Sequence, residues 1–264
     1  MAVLRSFGVG ASVARAALGW IRRDQRAGAL ERTNFHGRTV SLAGGPALAL
    51  GATAGAVAGA PSVRVAAASV AAGVISGSVG LYDDISGDKS VKGFAGHLGA
   101  LREGQVTSGL VKIAGVGAAG LVASAMIGSK RTSLLGRATD VLLGAGVIAG
   151  MANFVNLLDL RPGRALKAGV AIGVPVGATG AVGAAAALLP EDLGEEIMVG
   201  DAGANAMGAL LGVALAARTG TGGRFAAFAA LATLTAASEK VSYTKVIQDT
   251  PWLRRLDELG RRPA

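Results

Sequence analysis

Seven stretches of this chain run without a single charged side chain, and their lengths limit the possible folds more than any other feature. Between consecutive charged residues lie 25 uncharged positions from Thr39 to Val63, 18 from Val65 to Tyr82 and 17 from Ile113 to Ser129. Then come 18 from Val141 to Leu158, 23 from Ala168 to Pro190, 16 from Ala202 to Ala217 and 14 from Phe225 to Ser238. A bilayer core about 30 Å thick is crossed by roughly 20 apolar residues in a helix. The pattern therefore predicts an all-α, polytopic membrane protein of about eight to ten helices. Phe7 to Ile21 forms a further, weaker span interrupted by Arg15. That interruption, and the lack of a small-x-small cleavage site, predict a retained first helix rather than a secretory leader.

Composition agrees with this class and excludes others. Of the 264 residues only 16% are charged and 51% are hydrophobic, and mean hydropathy is +0.50. Soluble domains carry about 25% charged residues, so this balance rules out disorder and a soluble coiled coil. With no cysteine there is no disulfide scaffold and no thiolate site. The 42 glycines are read as close-packing positions between helices.

Orientation follows from the basic residues. If segments 22–40, 83–106, 157–167 and 239–264 share one face, they hold 17 of the 26 Lys and Arg, against seven on the other face. By the positive-inside rule that richer face is cytoplasmic. The net charge of +9 then reflects the inner leaflet and phosphate-bearing ligands. Basic residues interleaved with base-stacking aromatics are missing, which argues against nucleic acid as a partner. Keeping Asp159 and Asp201 on one face requires 168–190 to turn back as two short helices around Gly173, Pro175 and Gly177–Gly180. At about 1.5 Å per residue such helices make a re-entrant or thinned hairpin. Residues 1–241 read as one membrane domain, and 242–264 as a cytoplasmic tail. Within the tail Trp252, Leu253, Leu256 and Leu259 alternate with charges, as in an interfacial helix.

The carboxylates gather at span ends on the cytoplasmic side: Asp83 and Asp84, then Asp159, then Asp201. Asp88, Lys89 and Lys92 follow the first pair, and Arg161, Arg164 and Lys167 follow Asp159. Three such sites beside cations suit a divalent metal and a polyphosphate, since magnesium takes one or two carboxylates plus phosphate oxygens and water. The competing reading is helix capping and loop solvation, which accounts for one such site more readily than for three together. His36 and His97, the only histidines, have no metal-ligand spacing.

Four segments resemble a known family. Gly80-Leu81-Tyr82-Asp83-Asp84, Asn153-x-x-Asn156-Leu157-x-Asp159 and Gly200-Asp201-x-Gly203 with Gly208 are similar to the signature segments of the polyprenyl-phosphate sugar-1-phosphate transferases, the MraY/WecA-like superfamily. Gly37-Arg38-Thr39, leading to Gly44-Gly45-Pro46, is similar to that family's first cytoplasmic loop. The resemblance implies transfer of a sugar-1-phosphate from a UDP-sugar to polyprenyl phosphate, releasing UMP. It implies Mg2+, or Mn2+ in its place, at the cytoplasmic face of a bacterial inner membrane, and it admits a homodimer. Asp83 and Asp84 would be catalytic, with Asp84 and Asp159 holding the metal. Lys112, Asn153, Asn156, Arg164 and Asp201 would bind substrate. In two places the chain departs from the family. Asp159 is followed by Leu160-Arg161-Pro162-Gly163, where the family continues Asp-Gly-x-Asp-Gly, and 242–251 lacks the family's histidine motif. The run Glu191-Asp192-Leu193-Gly194-Glu195-Glu196 reads as a solvated loop, or as the source of a carboxylate in place of the one lost at Pro162. Two other classes remain: a non-catalytic membrane scaffold or binder of lipid-linked precursor, and a small transporter, against which the one-sided carboxylates argue.

Overall fold

The structure, a computed structural model, describes residues 1–34, 36–86 and 93–262, without the side chains at 93–95, 97 and 98. Asp88, Lys89, Lys92 and the His97 side chain therefore lie outside the described residues. The uncharged runs become helices: α1 (Ala2–Arg23), α2 (Gly44–Ala58), α3 (Val63–Ser86), α5 (Ser108–Ile127), α6 (Leu134–Leu158), α9 (Gly200–Arg218) and α10 (Thr221–Ser238). Short α4 (Gly93–Arg102), α11 (Tyr243–Asp249) and α12 (Pro251–Glu258) complete the order, together with α7 and α8 below. Local chemistry sets several starts. Thr107 caps α5 by accepting from the Leu110 amide, and Ser133 caps α6 by accepting from that of Gly136.

Three helices, α3, α5 and α6, are long and apolar enough to cross a membrane. Only 39%, 28% and 39% of their most apolar windows are buried, so most of that apolar surface faces outward. Val74, Leu121 and Leu142 are examples, exposed by 52%, 45% and 63%. A helix apolar all round needs an apolar medium on its outer side.

The run 168–190 is divided as the parity argument requires, into α7 (Arg164–Gly173) and α8 (Thr179–Leu193). Arg218, the last residue of α9, donates to the Gly177 carbonyl at 3.2 Å, so the hairpin tip reaches the far end of α9. The pair forms a hairpin of two short helices, with rises of about 15 and 22 Å. Small residues allow its packing. A Cβ at Gly180 would strike the backbone of Gly55 in α2, and one at Gly183 would strike that of Phe7 in α1.

One element goes beyond the all-α expectation. β1 (Glu31–Thr33) and β2 (Thr39–Ser41) form an antiparallel hairpin, with Arg32 opposite Val40. Its turn is held by Asn34, whose Oδ1 accepts from the amides of His36 and Arg38 at 2.9 Å each. Three-residue strands fall below the length at which alternation is visible in a sequence. Ser41 also bridges to Ile197, fastening the hairpin beside the α8–α9 connection.

Candidate active site

Three helices bring charged groups to one end of the bundle. The last turns of α3 carry Asp83 and Asp84, α9 begins with Gly200 and Asp201, and the second turn of α5 carries Lys112. The Lys112 ammonium lies 2.6 Å from Asp83 Oδ2 and 2.5 Å from Asp201 Oδ2. These side chains are 19%, 13% and 25% exposed, so the cluster is sheltered but open to a ligand. Lys112 is therefore the cation between two carboxylates rather than a helix-end lysine reaching for headgroups.

Asp84 does something different. Its two oxygens accept from the amides of Asp201 and Ala202, each at 2.9 Å, which places a carboxylate on the unpaired N–H groups and positive dipole end of α9. Gly200 has φ +60, and a Cβ there would lie 2.9 Å from Asp84 Oδ2 and from Leu42 Cδ2, so both conformation and space require glycine. Gly80 serves the same junction from α3, where a Cβ would strike the Asp201 carbonyl. The glycines of the two signature segments thus bring α3 against the start of α9. Gly200→Ala is expected to cost about 1–3 kcal/mol and lower the melting temperature by several degrees in detergent. An unchanged melting curve would contradict this packing.

Asp159, which ends α6, lies on a cavity of about 230 Å³ also lined by Asn34, Arg161, Pro162, Asp192 and Glu195. Burial, with Asp192, Asp201 and Asp84 nearby, holds the Asp159 carboxyl well above its ordinary range. A carboxyl raised in this way favours folding while protonated and loses that contribution as pH climbs through its folded value. Asp159→Asn is therefore expected to raise the melting temperature at neutral pH. A lower value would show that the charge is compensated.

The cavity also answers the question left by Pro162. Asp192, 3% exposed, accepts from the Gly163 amide at 2.7 Å, so the acidic run does deliver a carboxylate beside that loop. Glu195, at φ +57, accepts from Asn34 and from Arg38 at 3.0 Å, and lies 2.9 Å from His36 Nδ1. Burial disfavours its charge, but the bonds from His36 and Asn34 and the Arg38 charge outweigh that and hold its carboxyl below the usual range. From the sequence Asn34 and His36 carry no assigned partner and Glu195 is one of several acids in its run, because their meeting depends on the small β-hairpin.

Other candidates lie apart from the Lys112 cluster. Asn153 Nδ2 donates to Thr235 Oγ1 at 3.0 Å, joining α6 to α10, and the Asn156 carbonyl accepts from the Asp159 amide at 3.0 Å. Arg164 is 4% exposed, its guanidinium paired in bidentate fashion with Asp257 at 2.8 and 2.9 Å and bonded to Thr244 at 3.0 Å. That group holds the C-terminal segment and is not free for a substrate. Among the described residues, no three His, Asp or Glu side chains converge closely enough to hold a metal ion by themselves. Asp83 and Asp201 converge on the Lys112 ammonium, which lies against the Oδ2 of each. Magnesium takes one or two carboxylates and completes its shell with phosphate and water, so a metal at this end of the bundle would arrive with a phosphorylated substrate.

No family model matches the chain, and no curated protein matches it.

Proposed function

We propose that the chain is a polytopic membrane phosphoglycosyl transferase, moving a sugar-1-phosphate from a UDP-sugar onto polyprenyl phosphate at the cytoplasmic face. The observation that carries this reading is the meeting of Asp83, Lys112 and Asp201, from three separate helices, at the same end of the bundle as Asp159 and its cavity. The outward apolar surface of α3, α5 and α6 supports the membrane setting. The 17 basic residues assigned to the segments at the site end support the cytoplasmic orientation.

In this reaction an oxygen of the lipid phosphate attacks the β-phosphorus of the UDP-sugar. The bond from that phosphorus to the bridging oxygen breaks, and UMP leaves with that oxygen. Phosphoryl transfer of this kind depends on positioning and charge neutralisation. Lys112 supplies one positive charge for a phosphate, and its two carboxylate partners fix where that charge sits. As the resemblance implies, Asp84 and Asp159 would hold magnesium, which when bound supplies neutralisation of the diphosphate. Asp84 also keeps the start of α9, and with it Asp201, in place through the amides of Asp201 and Ala202.

A second reading, a non-catalytic binder of lipid phosphate, is favoured by Pro162 and by the engagement of both Asp84 oxygens with α9 amides. UMP release separates the two. Purified protein with polyprenyl phosphate, magnesium and a panel of UDP-sugars is expected to release UMP, and release is expected to fail without the lipid or the metal. Retained lipid-phosphate binding with no release from any donor would favour the binder.

A further inference from the structure

The C-terminal helix presents two faces with different chemistry. Its inner face is fixed to the body. Asp257, 6% exposed, takes the Arg164 fork and a further bond from Arg261 at 2.7 Å. Lys167 Nζ donates to the carbonyls of Asp257 and Leu259 at 2.8 and 2.7 Å. Arg261 Nε donates to the Pro162 carbonyl at 2.9 Å, and the Arg262 amide to that of Leu193 at 3.2 Å. The segment therefore braces both the loop after Asp159 and the end of α8, two walls of the cavity.

Among the described residues the outer face has no partner of this kind. Trp252, Leu256 and Leu259, spaced i, i+4, i+7, are 63%, 56% and 67% exposed. Arg255 and Arg262 are exposed beside them and Arg254 is exposed on the other side of the helix, against two exposed acids, Asp249 and Glu258. An apolar stripe with a tryptophan, bordered by arginines, is complementary to the boundary between acyl chains and anionic headgroups. The helix is held at the end of the bundle where α3, α5 and α6 meet the site, which on the membrane reading is the level of the inner leaflet.

We propose that the outer face of α12 is a docking surface for anionic lipid, which holds the C-terminal brace against the cavity walls. The inference rests on the membrane reading of the helices. Its consequence is that the anionic-lipid content of the membrane sets how firmly the Pro162 loop and the end of α8 are held.

Trp252 reports this contact, since Trp20 is the only other tryptophan. Full-length Trp20→Phe protein would be reconstituted in phosphatidylcholine alone and in phosphatidylcholine mixed with phosphatidylglycerol. Trp252 emission, acrylamide quenching and quenching by acyl-brominated lipid would be read in each. In the anionic membrane a blue shift, strong quenching by brominated lipid and an acrylamide quenching constant at least three-fold lower are expected. Arg254→Glu with Arg255→Glu is expected to restore the acrylamide constant, because each basic side chain strengthens attachment roughly five-fold. Trp252 equally open to acrylamide in both membranes, with protein retained after an alkaline carbonate wash, would overturn the lipid contact alone. Protein released by that wash would overturn the membrane reading beneath it. Shielding that appears in detergent and grows with protein concentration would assign the face to a second copy and overturn the proposal.

Discussion

Replacing Lys112 with Met is expected to lower phosphoglycosyl transfer by at least 100-fold while leaving the protein folded in detergent. With the ammonium 2.6 and 2.5 Å from the two oxygens, Asp83 Oδ2 and Asp201 Oδ2 are at most about 5 Å apart. Two unit charges at that separation repel by about 3 kcal/mol at an effective dielectric constant of 20. Met fills much of the space of the lysine stem but supplies no charge against this repulsion, and it offers nothing to a substrate phosphate. Removing one preorganised electrostatic group commonly costs 100- to 1,000-fold in turnover. Lys112→Arg keeps the charge in a planar fork that does not fit the space of a compact ammonium, so partial activity is expected. Initial rates of UMP release beside thermal melting would check both variants. Full activity in Lys112→Met would make the lysine a purely structural counter-ion.

The other large effect belongs to Asp257. In Asp257→Ala the Arg164 guanidinium, 4% exposed, keeps its burial and loses both of its strongest acceptors. Breaking a buried ion pair from one side costs about 3–5 kcal/mol. The helix that Asp257 anchors is short and terminal, so the strain is expected to be relieved by release of 243–262 rather than by unfolding of the bundle. Limited trypsin digestion should then cut quickly at Arg254 and Arg255 in the variant and slowly in the parent chain, with the remaining fragment intact. Acid should do the same to the parent. Burial opposes the charge of Asp257, but Arg164 and Arg261 outweigh it and hold its carboxyl below the ordinary range. Such a group contributes stability that is complete above the unfolded carboxylate value, about 3.9, and is lost as pH falls through the lower folded value. The tail should therefore stay protected from pH 8 down to about pH 4 and come free only below that. Equal cleavage of variant and parent would contradict the anchor.

What could be read from residue order alone was whatever depends on neighbours along the chain. The uncharged runs located the helices, and the glycines and proline of 173–180 marked where the run 168–190 divides into α7 and α8. The acidic segments at run ends marked Asp83, Asp84, Asp159 and Asp201, which the fold brings to one end of the bundle. What could not be read were the partners. Asp84 and Asp83 are adjacent and chemically identical, yet one caps α9 and the other meets Lys112, and only the approach of α3 to α9 at Gly80 decides which. Arg164 follows Asp159 closely enough to look like a substrate ligand, but its true partner lies 93 positions away. Asn34, His36 and Arg38 read as an ordinary polar loop until the hairpin sets them on Glu195. In each case the decisive neighbour is distant in sequence.

The most direct test of the central claim follows the β-phosphorus. UDP-N-acetylglucosamine and related donors labelled there would be incubated with protein, polyprenyl phosphate and magnesium, and the label partitioned between lipid and water. The account predicts label in the lipid phase as a polyprenyl diphosphate sugar, equal moles of unlabelled UMP in the water, and neither with Asp201→Asn. Label that stays in water as UDP while sugar reaches the lipid would make the chain a glycosyl transferase of a different mechanism. No transfer from any donor by folded, membrane-inserted protein would contradict the transferase account.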